Sequence, residues 1–331
     1  MKLLGLKAFA AFFLATVLTA PAWGAGTAIP GSINYVEGQV SLADQAVNSK
    51  SVGSVELQPG QSLSTGDGKA EVLLTPGVFL RLGDNSTVQM VSGNLTNTQA
   101  NLVKGQAMVE VAEIREYNQL RIGEDGAYTQ LRKDGLYAFD ADHANVRVVK
   151  GEALVQDNDQ SVRVKSGHEL DLNQSGKLKT AKFDKNAFQA NDLYRFSSLR
   201  SQYLAEANVD VARQYYAGGP GWYGPGWYWD PAFWAYTWIP GDGIFYSPFG
   251  WGFYSPLWVS YAPYYPYRYY WPRGYHPGRV VNPPPRVAPV RPAPNVARPS
   301  VRPGPGAPAP TFHSTARGGF AAVPHGGVIS R

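Results

Sequence analysis

The chain has 331 residues and no cysteine. Disulfide staples and any cysteine-based metal site are therefore excluded. Charge is scarce: Asp, Glu, Lys and Arg make up 17% of the chain, against about 25% in an ordinary soluble domain. Acidic residues stop altogether at Asp242, whereas nine arginines and no lysine lie between Arg268 and Arg331. Without those arginines and the leader lysines Lys2 and Lys7, the body carries about −6. The net +5 of the whole chain thus belongs to a tail and does not argue for a nucleic-acid-binding fold. Long apolar runs are missing too. The longest, Ala8 to Leu18, falls short of the ~20 residues a membrane-spanning helix needs.

That run follows Lys2 and Lys7 and precedes small residues at Ala20-Pro21-Ala22 and Ala22-Trp23-Gly24. Residues 1–25 read as a signal peptide, with an uncleaved anchor as the alternative. The expected location is outside the cytoplasm, in the periplasm or at the cell surface.

Residues 30–182 read as an all-β module of many short strands. Apolar residues alternate in Ala70-Val72-Leu74, Val78-Leu80-Leu82, Ala107-Val109-Val111 and Val162-Val164, the period of half-buried strands. A phrase recurs three times, as Val36-Glu37-Gly38-Gln39-Val40, Val103-Lys104-Gly105-Gln106-Ala107 and Val149-Lys150-Gly151-Glu152-Ala153. We read Gly38, Gly60, Gly66, Gly105, Gly135, Gly151 and Gly167 as turn-formers. Strands and turns at this spacing suit a sandwich, a barrel or a β-solenoid.

Residues 186–213 switch to helical spacing, with Phe188, Leu193, Phe196, Leu199, Tyr203 and Ala207 as the apolar stripe. Asn191-Asp192 stands as N-cap, and Arg195, Arg200, Gln202 and Glu206 form the polar back. Residues 215–275 hold eight of the nine tryptophans among frequent Gly and Pro. Proline at that density forbids long helices and central strands, which leaves an irregular segment held by ring stacking. Residues 276–331 are Pro/Arg/Gly-rich and are expected to be disordered.

No catalytic constellation emerges. His168-Glu169 lacks the second histidine a zinc protease needs one helical turn away. Asp140, Asp142 and His143 have no distant ligand partner and read as a solvated turn. Gly218-Gly219-Pro220-Gly221 lacks the strand and helix that make a phosphate loop work. We expect no enzyme activity, no metal and no cofactor. The candidate binding residues are Trp222, Trp227, Tyr228, Trp229, Trp234 and Trp238, whose rings could stack on sugars, lipid headgroups or a protein. The competing reading is that they stack on one another and on the β-module as core. Candidate partners are an envelope protein, peptidoglycan or polysaccharide, with self-association through the same rings. The basic tail suits an anionic envelope surface, and nucleic acid ranks last.

Taken in order, Val36-x-Gly38-x-Val40, Leu57-x-x-Gly60-x-x-Leu63-x-Thr65-Gly66-Asp67-Gly68-x-Ala70-x-Val72, Leu80 and Leu82, Ser86-x-Val88, Leu102-x-x-Gly105-x-Ala107, Gly135-Leu136-Tyr137-Ala138-Phe139, Val149-x-Gly151-x-Ala153 and Val164-x-x-Gly167 resemble the FecR domain of bacterial envelope proteins. The resemblance covers about residues 33–172. It implies a β-module and, for the members that name the family, an inner-membrane regulator relaying a signal from an outer-membrane receptor to a sigma factor. Here the segment ahead of the module looks cleavable, so an exported, non-enzymatic binding or scaffold protein is the main expectation. A sensor held by an uncleaved anchor is the alternative.

Overall fold

The computed structural model describes residues 28–115, 117–216 and 222–262. Contacts divide the chain into Met1–Arg279 and Val280–Arg331, and every described residue lies in the first unit. The leader, the Gly218–Gly221 stretch and the tail all lie outside the described residues.

Fifteen short strands run from β1 (Ile33–Leu42), β2 (Gln45–Val47), β3 (Ser62–Leu73), β4 (Val78–Leu82) and β5 (Thr87–Asn94) through β6 (Asn97–Lys104), β7 (Gln106–Val111), β8 (Gln119–Glu124), β9 (Ala127–Leu131) and β10 (Gly135–Asp140) to β11 (Asn145–Lys150), β12 (Glu152–Asp157), β13 (Gln160–Lys165), β14 (His168–Asp171) and β15 (Ala181–Lys182). They form one continuous sheet in the order β13-β12-β9-β8-β6-β5-β3-β4-β7-β10-β11-β14-β15, with β1 on β3 and β2 on β1. Pairing is antiparallel except between β6 and β8.

The sheet turns back on itself at β3, whose first residues pair with β5 and whose last pair with β4. The strands on the β5 side form layer 1 and those on the β4 side form layer 2. Alternate residues of both layers meet in one core, with Val88, Met90, Leu102, Ile122 and Val155 from layer 1 and Val72, Leu80, Val109, Phe139 and Val148 from layer 2. The alternation legible in the sequence is this inward face.

The recurring glycine phrase marks the places where the chain changes layer. Gly105 joins β6 in layer 1 to β7 in layer 2, and Gly151 joins β11 in layer 2 to β12 in layer 1. Both have positive φ, +74° and +102°, and a Cβ on Gly105 would lie 2.4 Å from Ser86 Oγ. Gly38 sits at the β1 bulge where pairing passes from one half of β3 to the other. Gly60 and Gly167 are turn residues, both with positive φ.

Gly66 and Gly135 are not. Gly66 lies inside β3 and Gly135 opens β10, neither with positive φ. Close approach of backbone explains Gly135, where a Cβ would meet Lys150 O at 2.1 Å; at Gly66 it would meet only the movable Gln39 side chain.

A short helix α1 (Lys185–Gln189) precedes α2 (Asp192–Gln214). Asn191 caps α2 as its sequence suggested, accepting from the N–H groups of Leu193 and Tyr194. The expected stripe needs correction in three places. Phe188 belongs to α1, Leu199 is exposed, and Arg200, assigned to the polar back, is buried. Ser197, Ser201 and Asn208 are buried beside it. The buried face of α2 is thus partly polar, because it meets charged groups on the sheet.

The ring-rich segment is more regular than its glycines and prolines suggest. It forms two hairpins, β16 (Gly226–Asp230) with β17 (Ala235–Ile239), and β18 (Ile244–Tyr246) with β19 (Gly252–Tyr254). Each strand is five residues or fewer, so the prolines fall outside the ladders. Leu73, Phe79 and Ala112 from layer 2, Leu204 and Ala205 from α2, and Trp227, Tyr236, Trp238 and Phe253 from the hairpins share a second core.

Candidate functional site: an ionic seam beneath an aromatic cap

The middle strands of layer 2, β4, β7 and β10, are buried on both faces. The layer's outward side carries Leu73, Phe79, Met108, Leu136 and Ala138, all buried, and α2 with the hairpins covers it. Three strand charges lie on that covered face: Glu71 on β3, Arg81 on β4 and Glu110 on β7, each with no exposed side-chain surface. Glu71 stands directly opposite Arg81, whereas Glu110 is diagonal to it, since Arg81 pairs with Met108 and Glu110 with Phe79.

Arg81 joins the two carboxylates, its Nε donating to Glu71 at 2.7 Å and its Nη1 to Glu110 at 2.6 Å. From α2, Arg200 donates to Glu71 at 2.8 Å and Ser201 donates to Glu110 at 2.7 Å. Two carboxylates thus face two guanidiniums, and the charge closes locally. The Tyr35 ring lies 4.4 Å from the Arg200 guanidinium, a cation–π contact.

The two glutamates respond differently. Burial opposes ionisation of Glu71, but Arg200 and Arg81 together override it and hold the carboxyl at about 2. Burial also opposes ionisation of Glu110, where Arg81 and Ser201 only partly offset it, and its pKa is raised.

Two asparagines carry the seam into the cap. Asn34 on β1 donates to Glu71 and to Tyr236 O, and accepts from Tyr236 N at 2.7 Å. Asn208 on α2 donates to Trp238 O and Tyr254 O, and accepts from Tyr254 N at 2.7 Å. Each asparagine ties hairpin backbone to another element, satisfying groups that would otherwise be buried unpaired. Thr237 Oγ1 adds a hydrogen bond to Leu204 O at 2.6 Å.

The six candidate ring residues divide by burial. Trp238 (0% exposed), Tyr228 (3%) and Trp227 (4%) are core residues. Trp238 packs edge-on to Phe245 and tilted against Phe253, and Trp227 packs edge-on to Phe79. Tyr228 lies stacked between Trp222 and Tyr223. None of the three has an open face for a ligand. Trp222 and Trp229 are half-buried, and Trp229 seats on Gly53 of the sandwich. Trp234 alone of the six is exposed, at 56%. The six do not form one surface.

The remaining polar candidates stay apart. His143 bonds Asp140 through Nδ1 at 2.9 Å within a turn, and His168 Nδ1 lies 3.2 Å from the Ser166 carbonyl. No cluster of three or more metal-ligating side chains occurs among the described residues. No helix among them is long and apolar enough to cross a membrane.

Sequence reasoning missed the seam, although a signal was present. Val78-Phe79-Leu80 and Ala107-Met108-Val109 are unbroken apolar runs, the mark of strands buried on both faces. Isolated charges on such strands, Arg81 and Glu110, are then buried and must be paired.

A second buried carboxyl sits at the end of β8. Glu124 is 3% exposed. Burial drives its pKa up; the Asn145 backbone partly offsets this, the Asp140 and Asp125 charges add to it, and the result is about 8. The unfolded value is near 4.5, so the protonated form is favoured in the folded state. Its contribution to stability is full below about pH 4.5 and is lost as pH climbs through about 8. We expect the protein to lose on the order of 2–4 kcal/mol between pH 5 and 8.5 from this group. Glu124→Gln should remove that slope in urea titrations at the two pH values. An unchanged slope would show that Glu124 is ionised in the folded state.

The family model described as FecR protein matches residues 61–165, which run from the start of β3 to the end of β13. Two crystal structures of a "putative anti-sigma factor" from Parabacteroides distasonis ATCC 8503 are similar in part. One is 13% identical with a TM-score of 0.33, covering 42% of this chain and 64% of its own. The other is 12% identical with a TM-score of 0.33, covering 46% of this chain and 72% of its own. No curated protein matched the chain. The matched residues supply most of layers 1 and 2 and three of the four charges in the seam: the chain contains a FecR domain.

Proposed function

We propose that the protein is a non-enzymatic FecR-type regulator of the bacterial envelope, relaying a binding event on its exported β-module to a sigma-factor system. The observation that carries this reading is the FecR match over residues 61–165, since members of that family regulate rather than catalyse. The seam fits such a role. It makes the sandwich, α2 and the ring hairpins one mechanical body, so that a load or ligand on the sandwich reaches the cap through Arg200, Asn34 and Asn208. In this reading residues 1–25 hold the chain at the inner membrane.

The test is transcription from a sigma-factor-dependent reporter in cells with and without the gene. A change in reporter output supports the regulator. Unchanged output under all envelope stresses, with the protein recovered free of the membrane, contradicts it.

A second reading, an exported scaffold, draws on the rings that remain exposed: Tyr223, Trp234, Tyr246, Trp258 and Tyr261. Such rings suit an envelope protein, peptidoglycan or another copy of the chain. It is favoured if the reporter is silent and cross-linking captures a partner through these residues.

A further inference from the structure

The two layers differ in what covers them. Layer 2 lies beneath α2 and the hairpins, whereas the outward face of layer 1 bears none of those elements. Its composition is unusual for a solvent-facing sheet. Along one row, in register across β6, β8, β9, β12 and β13, stand Gln99, Arg121, Gln130, Leu154 and Arg163. The next row presents Asn101, Gly123, Tyr128 and Gln156. A row across five strands spans ~19 Å.

Neither row contains a carboxylate, although the body of the chain is net acidic. Arg121 donates to Gln119 at 2.5 Å and has no carboxylate partner among the described residues. Among the described residues Arg163 has one ion-pair contact, a long 3.8 Å approach to Glu152 at the rim.

The centre of the face is shaped by a missing side chain. A Cβ on Gly123 would lie 2.2 Å from Asn101 Oδ1 and 3.4 Å from Tyr128 Cε1. Glycine therefore lets the Asn101 amide and the Tyr128 ring close over the strand. Asn101 Oδ1 is left buried without a hydrogen-bond partner, while the Tyr128 ring remains 44% exposed.

We propose that this face binds an acidic polysaccharide, with a sugar ring on Tyr128, hydroxyls on the Gln99, Gln130 and Gln156 amides, and carboxylates on Arg121 and Arg163. Each group has a physical reason. A tyrosine ring offers a flat apolar face to sugar C–H groups. Amides both donate and accept, as hydroxyls do. Guanidiniums bind carboxylates in a planar fork. The excess positive charge, with Arg121 lacking a carboxylate partner among the described residues, selects an acidic chain over a neutral one. The site is distinct from the ring hairpins and does not depend on the regulatory reading. A binding module without reporter output, or a reporter effect without binding, separates the two.

The experiment is affinity electrophoresis of the full chain through native gels containing polygalacturonate, with dextran as the neutral comparison. Retardation is expected with polygalacturonate and not with dextran. Tyr128→Ala should weaken it about tenfold, and Arg121→Gln by about ten- to a hundredfold. Both positions face outward, so melting temperatures should hold; if either variant fails to fold, Arg163→Gln or Gln130→Ala takes its place. Retardation unchanged in the variants would assign binding to the arginine-rich C-terminal sequence and overturn the proposal. So would no retardation, or a concentration-dependent dimer that the same variants abolish.

Discussion

Arg81→Met is expected to destabilise the protein by about 3–5 kcal/mol, the cost of leaving a buried charge without its partner. Among the described residues Arg81 alone bridges Glu71 and Glu110, through contacts of 2.7 and 2.6 Å. Without it Glu71 keeps Arg200, but Glu110 keeps only the Ser201 hydroxyl. The uncompensated carboxylate should then take up a proton. Because its folded pKa rises further above the unfolded value, the variant is more stable in acid and loses stability as pH rises. Denaturant titrations at pH 5 and pH 8 read this directly, the deficit being smaller at pH 5. Glu110→Gln added to Arg81→Met should recover part of the loss, because the stranded charge is gone. Equal deficits at both pH values, with no recovery in the double variant, would show that methylene packing rather than charge holds this interface.

Trp238→Ala should cost about 3–5 kcal/mol, whereas Trp234→Ala should stay within about 0.5 kcal/mol. The two residues belong to the same ring-rich segment and were indistinguishable as binding candidates in the sequence. In the fold, Trp238 is fully buried and Trp234 is more than half exposed. Trp238 packs on Phe245 and Phe253 and lies against Gly77 of the β3–β4 turn. Removing its indole opens a cavity between the sandwich, α2 and both hairpins. Urea unfolding of the two variants measures the contrast. Similar small losses for both would mean the rings are a surface layer and not a core.

These expectations separate what was legible in the chain from what was not. Strand alternation such as Val78-Leu80-Leu82 identified the inward face correctly, because period two depends only on which side faces the core. The glycine phrase identified the module. That Gly105 and Gly151 mark crossings between layers could not be read, because the crossing depends on which strands become neighbours. Helix α2 was legible through its Asn191 cap and its spacing. Its buried face was misread at Arg200 and Leu199, since hydrophobicity alone assigns a guanidinium to water. Only the partner on another element, Glu71, 129 residues away, makes that burial affordable. The ring segment was recognised as either core or surface. The choice needed Asn34 and Asn208, two unremarkable amides that bond the hairpin backbone.

The central claim is that the ring-rich cap and the FecR domain fold as one body joined by the ionic seam. The protein carries its own probe for this. Residues 30–182 contain no tryptophan, whereas eight of the nine tryptophans lie in 215–275. Tryptophan fluorescence therefore reports the cap, and far-ultraviolet circular dichroism is dominated by the sandwich strands. Urea unfolding followed by both signals should give superimposable transitions with one midpoint, the behaviour of a single cooperative unit. A fluorescence transition completed at lower urea than the dichroism transition would contradict the account, because the cap would then be leaving a sandwich that stays folded without it.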